Sequence, residues 1–484
     1  MLFNSVDFFW FIVIVLPVYY LLPGWKGMLR TVFLVAASYF FYAYWNPWFL
    51  LLILGSTLLD FQLGKLFEIW PRAMHRRILW ISAGFNLGLL GIFKYADFIA
   101  GTFSDLLLEP AFGARIPPMI DELPVGISFY TFQTMSYCID LYRGQVKVER
   151  NFLRFMLYVA YFPQLVAGPI ERAKTLLGEM AEKLPRPRPI EPAEAVFQIA
   201  YGLFKKMAVA DSIGPLVQPI FANPEQYGAL ELIGAACFFS IQIYCDFSGY
   251  TDIAIGISRL FGIRLMRNFR YPYFSASITE FWRRWHISLS TWLRDYLYIS
   301  LGGNRAGVYR TYANLMITML LGGLWHGPSW NFVLWGFLHG LLLALHRVWT
   351  GWFPEGPVPF WRRLLFAPFV FVIVSLIWIP FVSTELAHTF TAFGRIIAWA
   401  EGGQSTIGSE TVALCLFLAS VVFLFDALEA WAEKVQDTPD QGEGGATALR
   451  LYRLLVRPWL PGSMVLLTII FASSENQQFI YFQF

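Results

Sequence analysis

The stretch Gly322-Gly323-Leu324-Trp325-His326-Gly327-Pro328-Ser329-Trp330 sits inside a block, Thr311 to His346, that holds no Asp, Glu, Lys or Arg. Hydrocarbon demands such uncharged runs, about 20 residues per helical crossing. Within the block His326 is a titratable ring at membrane depth, where ionisable groups are costly and usually line a cavity, a pathway or an active site. Imidazole is also the side chain best matched to moving a proton near neutral pH. The alternative is a neutral histidine satisfied by its helix neighbours.

The rest of the chain agrees with a membrane reading. It has 484 residues, 57% hydrophobic, 18% aromatic and 14% charged, with a mean hydropathy of +0.52. Soluble domains carry about 25% charged residues. The apolar runs are continuous rather than alternating, which excludes a β-barrel and leaves helices as the way to satisfy backbone in lipid. The expected fold is an all-α polytopic membrane protein. About ten to twelve transmembrane helices, with re-entrant or interfacial helices, would surround a central funnel. One membrane-embedded domain is expected over 1–484, with N-terminal helices to 150, a core with the re-entrant segments over 151–350 and C-terminal helices beyond. The net charge of +3 carries no basic stripe, so nucleic acid is not an expected partner. The four cysteines, Cys138, Cys237, Cys245 and Cys415, show no zinc or CxxC spacing and fit small packing roles.

Candidate spans are Val6–Leu22, Thr31–Trp45, Trp48–Gly64, Ile78–Ala100, Leu123–Leu141, Ala193–Ala210, Ala229–Phe261, Leu364–Phe381, Thr411–Leu428 and Trp459–Ser474. The first lacks a basic n-region and a small-residue cleavage site, so it reads as an uncleaved span. Ala229–Phe261 is long enough to be tilted or broken. Loop charge sets the orientation. Lys26 and Arg30, then Lys65, Arg72, Arg76 and Arg77, then Arg143, Lys147 and Arg150 follow the odd spans. The Asn46-Pro47 turn is uncharged and Gly101–Glu122 is mainly acidic. The odd loops are therefore expected in the cytoplasm and the N-terminus outside.

Two segments break this alternation. Phe152–Gly168 lies between Arg143–Arg150 and Arg172–Arg188. Phe274–Leu301 has Arg264, Arg267 and Arg270 before it and Arg305 and Arg310 after it. Cytoplasmic-type charge at both ends argues that neither crosses, and such pieces are tolerated at depth only when buried in protein or lining a cavity. The His326 block also enters and leaves on one side. Its first arm, Tyr312 to His326, would reach roughly 22 Å as helix, short of the core thickness. The turn at Gly327-Pro328 would then stop at the deep end of a funnel open to the cytoplasm. Leu184–Pro192 is too rich in Pro for regular helix, and Glu429–Ala448 reads as a flexible cytoplasmic linker.

A second cluster, Glu280-Phe281-Trp282-Arg283-Arg284-Trp285-His286-Ile287-Ser288-Leu289-Ser290-Thr291-Trp292-Leu293-Arg294-Asp295-Tyr296, puts Trp285, Leu289, Trp292 and Tyr296 on one helical face. Most of it fits an amphipathic interfacial helix. His286 stands apart, because it and His326 occupy the two elements with odd topology. His339 and His346 share a face and could pack or line the funnel; His75 and His388 fall in expected loops. Asp60, Asp246 and Asp252 lie in apolar spans and fit interhelical hydrogen bonding that shapes a tunnel better than an ion path. No HExxH, GxSxG or P-loop pattern occurs.

Four segments together resemble the membrane-bound O-acyltransferase family. They are Gly323-Leu324-Trp325-His326-Gly327, Phe281 to Ser290, Phe162-Pro163-Gln164-Leu165-Val166-Ala167-Gly168-Pro169-Ile170, and Tyr244-Cys245-Asp246-Phe247-Ser248-Gly249-Tyr250. The ending Phe479-Ile480-Tyr481-Phe482-Gln483-Phe484 fits the branch that acetylates alginate; branches acting on cellulose, peptidoglycan and teichoic acid share the core motifs. The resemblance implies a bacterial inner-membrane enzyme with His326 as catalytic residue and His286 as the second signature position, Asn in some relatives. It implies no permanently bound cofactor, acetyl-CoA or another acyl thioester as donor, and periplasmic acetyltransferase proteins as partners. Trp285, Trp325, Arg283 and Arg284 are candidates for the donor funnel. The rival readings are a proton-coupled transporter and a membrane scaffold for a polysaccharide synthase.

Overall fold

The computed structural model describes residues 1–23, 27–112, 115–120, 122–166, 168–185, 187–305, 307–353, 359–402, 408–437, 442–473 and 479–480. Lys26, Ala167, Arg186, Ser474 and 481–484, used above, lie outside them, as does 438–441 of the expected linker. The described residues are helical and contain no strand. Among the described residues seven helices are long and apolar enough to cross a membrane: Phe49–Ile69, Arg72–Ala111, Ala229–Leu260, Trp330–Trp352, Trp361–Val382, Ser409–Asp437 and Gly445–Phe471. Val6–Leu21 and Met28–Ala43 are shorter and apolar. The protein is a multi-pass, all-α membrane protein.

The chain divides into two compact units, one of Met1–Ala195, Ile257–Met266 and Gly327–Ser329, the other of Val196–Gly256, Arg267–His326 and Trp330–Phe484. In the first unit the broken segment at Phe152–Gly168 forms helix Phe152–Ala160 and a turn, Phe162–Leu165, on either side of Tyr161. Nine residues reach only ~14 Å, too short to cross. The freed polar groups are met by side chains. Gln133 donates to the Tyr158 carbonyl at 2.5 Å, Ser38 accepts from the Phe162 amide at 3.2 Å, and Tyr161 pairs with Ser258 at 3.1 Å. Asp60, fully buried, accepts from Ser82 at 2.6 Å and Asn86 at 2.7 Å across helices.

The second unit is organised by the unbroken 32-residue helix Ala229–Leu260, most of which lies in it. Its polar stripe faces Lys205 and Lys206, consecutive on a widened π-helical turn, Phe204–Ala210. Both lysines are buried, 2% and 1% exposed. Lys205 pairs with Asp252 and reaches Ser248 at 2.8 Å. Lys206 lies between Asp211 at 2.7 Å and Asp246 at 2.8 Å. The other Asp246 oxygen accepts from the Ile480 amide at 2.7 Å. Asp426 accepts from Tyr201 at 3.0 Å and Tyr244 at 2.6 Å. These acids tie three helices and the chain end together.

Several expectations are corrected. The arm before His326 starts at Val308, not Tyr312, so its 19 residues reach ~28 Å and the length argument for a turn stopping short falls away. Glu429–Asp437 is helix, because Glu433 and Asp437 meet Arg267 and Arg270, and Glu429 meets Tyr452 and Arg457. Gly442–Leu451 is helix as well. The acidic loop begins later than Gly101, since helix runs to Phe112 through two π-helical turns. His75 and His388 are not in loops: His75 opens helix His75–Leu90 and His388 lies on helix Leu386–Ile397.

Breaking one member of the Lys206 set leaves an uncompensated buried charge, which costs about 3–5 kcal/mol. Lys206→Ala should lower the unfolding midpoint in detergent sharply, whereas the triple variant Lys206→Met/Asp211→Asn/Asp246→Asn should recover most of the loss. Equal losses in both would contradict an ionic origin.

Candidate active site

The segment expected as one interfacial helix is broken in two. Helix Ile278–Arg284 and helix Ile287–Trp292 meet at His286, which has φ +41°. That left-handed conformation costs a non-glycine residue free energy unless its surroundings over-determine it. Asn268 does so. Its carbonyl accepts from the Ile287 amide at 2.8 Å, and its side-chain oxygen accepts from the Ser288 amide at 3.1 Å and the Ser288 hydroxyl at 2.9 Å. The Arg270 amide donates to Arg284 at 2.9 Å on the other side of the turn. Trp285, Leu289, Trp292 and Tyr296 are still all buried.

The same Asn268 oxygen lies 3.1 Å from Nδ1 of His286. An oxygen that already accepts a backbone N–H requires a donor from the ring, so Nδ1 carries the proton and Nε2 is the basic nitrogen. Sequence reasoning missed Asn268. Its single signal was a polar residue in the basic stretch before Phe269.

His326 is the last residue of helix Val308–His326 and is 4% exposed. Its ring is edge-on to Trp335 at 5.0 Å, Trp325 at 5.1 Å and Phe381 at 5.4 Å. Its helix partner, Trp330–Trp352, approaches closely because Gly323 and Gly336 face each other's backbone; a Cβ on either would strike Phe332 or Met319. The His286 and His326 rings lie 6.5 Å apart, centre to centre, and Trp325 is 6.0 Å from His286. Phe247 closes the other side of His286 at 4.7 Å. The fold thus brings together the two histidines that the sequence separates by forty positions.

The remaining candidates separate. Trp285 is 1% exposed and packs on Phe269, Phe281 and Trp378. Trp325 is 4% exposed, against both histidines. Arg284 is paired with Glu280 at 2.7 Å. Arg283 is exposed and lines two cavities that also share Thr279 and His346, themselves 2.9 Å apart. The second cavity, about 830 Å³, is walled by Trp282, Ile287, Arg283, Arg294, Arg347 and Thr318 among others. Trp282 packs on Trp335, the ring that holds His326, and on His339, which is fully buried.

Comparison with known proteins agrees with the motifs. Residues 143–384 match the model of MBOAT, the membrane-bound O-acyltransferase family. The chain is 36% identical over 497 residues to a protein named probable alginate O-acetylase AlgI from Pseudomonas putida, covering 99% of each. It is 43% identical over 352 residues to the protein of that name from Pseudomonas aeruginosa, covering 71% of this chain and 65% of that one. It is 36% identical over 374 residues to a peptidoglycan O-acetyltransferase from Helicobacter pylori, covering 70% of each. Likeness over the whole length, with both histidine motifs inside the matched span, makes this multi-pass protein an acyltransferase and a member of the membrane-bound O-acyltransferase family.

Proposed function

We propose that the protein is an inner-membrane O-acetyltransferase that takes acetyl from a cytoplasmic thioester and passes it outward for O-acetylation of an exported polysaccharide, alginate first. The carrying observation is the pairing of His286 and His326 inside one aromatic cage. Relatives named alginate O-acetylase support alginate, and the relative named peptidoglycan O-acetyltransferase keeps peptidoglycan as the alternative acceptor. Cellulose is a further acceptor open to the same chemistry.

Acetyl-CoA and an acylated carrier both fit as donor. The second cavity carries Arg294 and Arg347, which suit the phosphates of such a thioester arm, and Trp282 on its wall packs on Trp335, the ring beside His326. His326 removes the proton of an acceptor hydroxyl as its oxygen attacks the thioester carbonyl. The tetrahedral adduct expels the thiolate, which recovers that proton from His326 as a thiol. Alternatively His326 takes the acetyl group itself and then yields it to the hydroxyl. His286, protonated on Nδ1, offers Nε2 as an acceptor and orients His326, the donor or the leaving thiol. The packed aromatic walls keep water from the thioester. Periplasmic acetyltransferase proteins would receive the group and hand it to the polymer.

His326→Ala should cut polymer acetylation by ~10²–10⁴-fold while the protein inserts normally; retained acetylation would refute its role. In proteoliposomes, consumption of acyl thioester that disappears in His326→Ala separates the enzyme from a proton-coupled transporter or a scaffold. Asn268→Ala forfeits hydrogen bonds of about 1–3 kcal/mol, so kcat should fall ~5–100-fold with little change in KM, and His286→Asn, which keeps a polar acceptor, should retain more activity than His286→Ala. An Asn268→Ala enzyme with unaltered kcat would contradict the positioning role.

A further inference from the structure

The first of the two cavities, lined by Trp349, Trp352 and Phe369, differs in kind from the second. It encloses about 730 Å³ within the second unit, between helix Ile278–Arg284 and the facing ends of Trp330–Trp352 and Trp361–Val382. Both long helices are apolar enough to cross the membrane. Their groove residues are large, apolar and uncovered: Trp352 is 74% exposed, Phe369 62%, Phe353 56% and Trp349 54%. A groove so walled opens onto lipid, and its size is that of a ligand site rather than a packing defect.

Its polar wall is basic. Arg283, Arg362 and Arg363 line it, and Glu280 is the one acid on the wall among the described residues. That carboxylate is already shared, 2.7 Å from Arg284 and 2.8 Å from Arg363. Arg363 is further fixed on the Phe274 carbonyl at 3.1 Å. Arg283 and Arg362 make no ion pair among the described residues. Arg362 lies 5.5 Å over the Phe366 ring, which holds its stem against the apolar wall. Two guanidiniums without an ion pair among the described residues thus stand beside a groove walled by exposed aromatic side chains.

We infer that this groove holds an anionic phospholipid, its phosphate between Arg283 and Arg362 and its acyl chains along Trp349, Trp352 and Phe369. Basic pockets between membrane helices take such headgroups, and each basic side chain near them is worth about a fivefold preference. A planar guanidinium also grips phosphate oxygens in pairs. The apolar wall favours a lipid over a soluble phosphate, which would leave those aromatic faces unused. Because Ser277, Thr279 and Glu280 of the helix leading to His286 form one side of the groove, the lipid would brace that turn from the membrane side.

The test uses the purified full-length protein and native mass spectrometry with phosphatidylglycerol, phosphatidylcholine of the same chains, and inorganic phosphate. Phosphatidylglycerol should be retained ~30-fold over phosphatidylcholine, with thermal stabilisation that inorganic phosphate does not reproduce. Arg362→Gln should lower that preference about fivefold, and Arg362→Lys, which keeps the charge and controls for folding, should keep most of it. Equal retention of the two lipids by the unaltered protein would overturn the inference. So would an unchanged preference in Arg362→Gln, or full competition by inorganic phosphate, which would mark an adventitious anion only.

Discussion

Hydrocarbon offers no hydrogen-bond partners, so each backbone group released from a helix at depth must be met by the protein itself. The break at His286 depends on this constraint. The left-handed residue ends one short helix and starts another, and the amides after it need acceptors. Asn268 supplies them with both its backbone and side-chain oxygens. The oxygen that fixes the Ser288 amide also fixes the His286 tautomer. Local structural necessity and the chemistry of the ring thus share one atom.

The broken segment in the first unit obeys the same rule with Gln133 and Ser38 in place of Asn268. The buried charges extend it. Lys205 and Lys206 each have a carboxylate partner, and Asp60 and Asp426 accept from hydroxyl or amide groups. These links cross between helices, in a setting where apolar side chains pack against lipid almost as well as against each other. Polar pairing gives the bundle a specificity that hydrophobic packing alone would not.

Much of the site was legible. His326 stood out because charge is absent around it, and His286 because its segment carries basic residues at both ends. That Phe152–Gly168 and Phe274–Leu301 are not single long spans was legible for the same reason, since Lys and Arg mark the sides of a membrane. Three features were not. The helical run through Asp437 defeated a composition argument, because its acids are paired with distant Arg267 and Arg270. The single interfacial helix over 280–296 failed at His286, where the apolar face persists on both sides of a break that periodicity cannot register. Asn268 carried only a polar residue in a basic stretch as its signal; its importance comes from where its oxygen lies.

Sequence alone determined the membrane class and the helical fold and singled out the two histidines as candidates, because hydropathy, charge placement and short motifs are properties of neighbouring residues. Only tertiary structure decided that those histidines meet 6.5 Å apart, which nitrogen of His286 is basic, and which arginines make no ion pair among the described residues. Those depend on contacts between residues far apart in the chain, and the geometry of such contacts is set by packing rather than by any local run of residues.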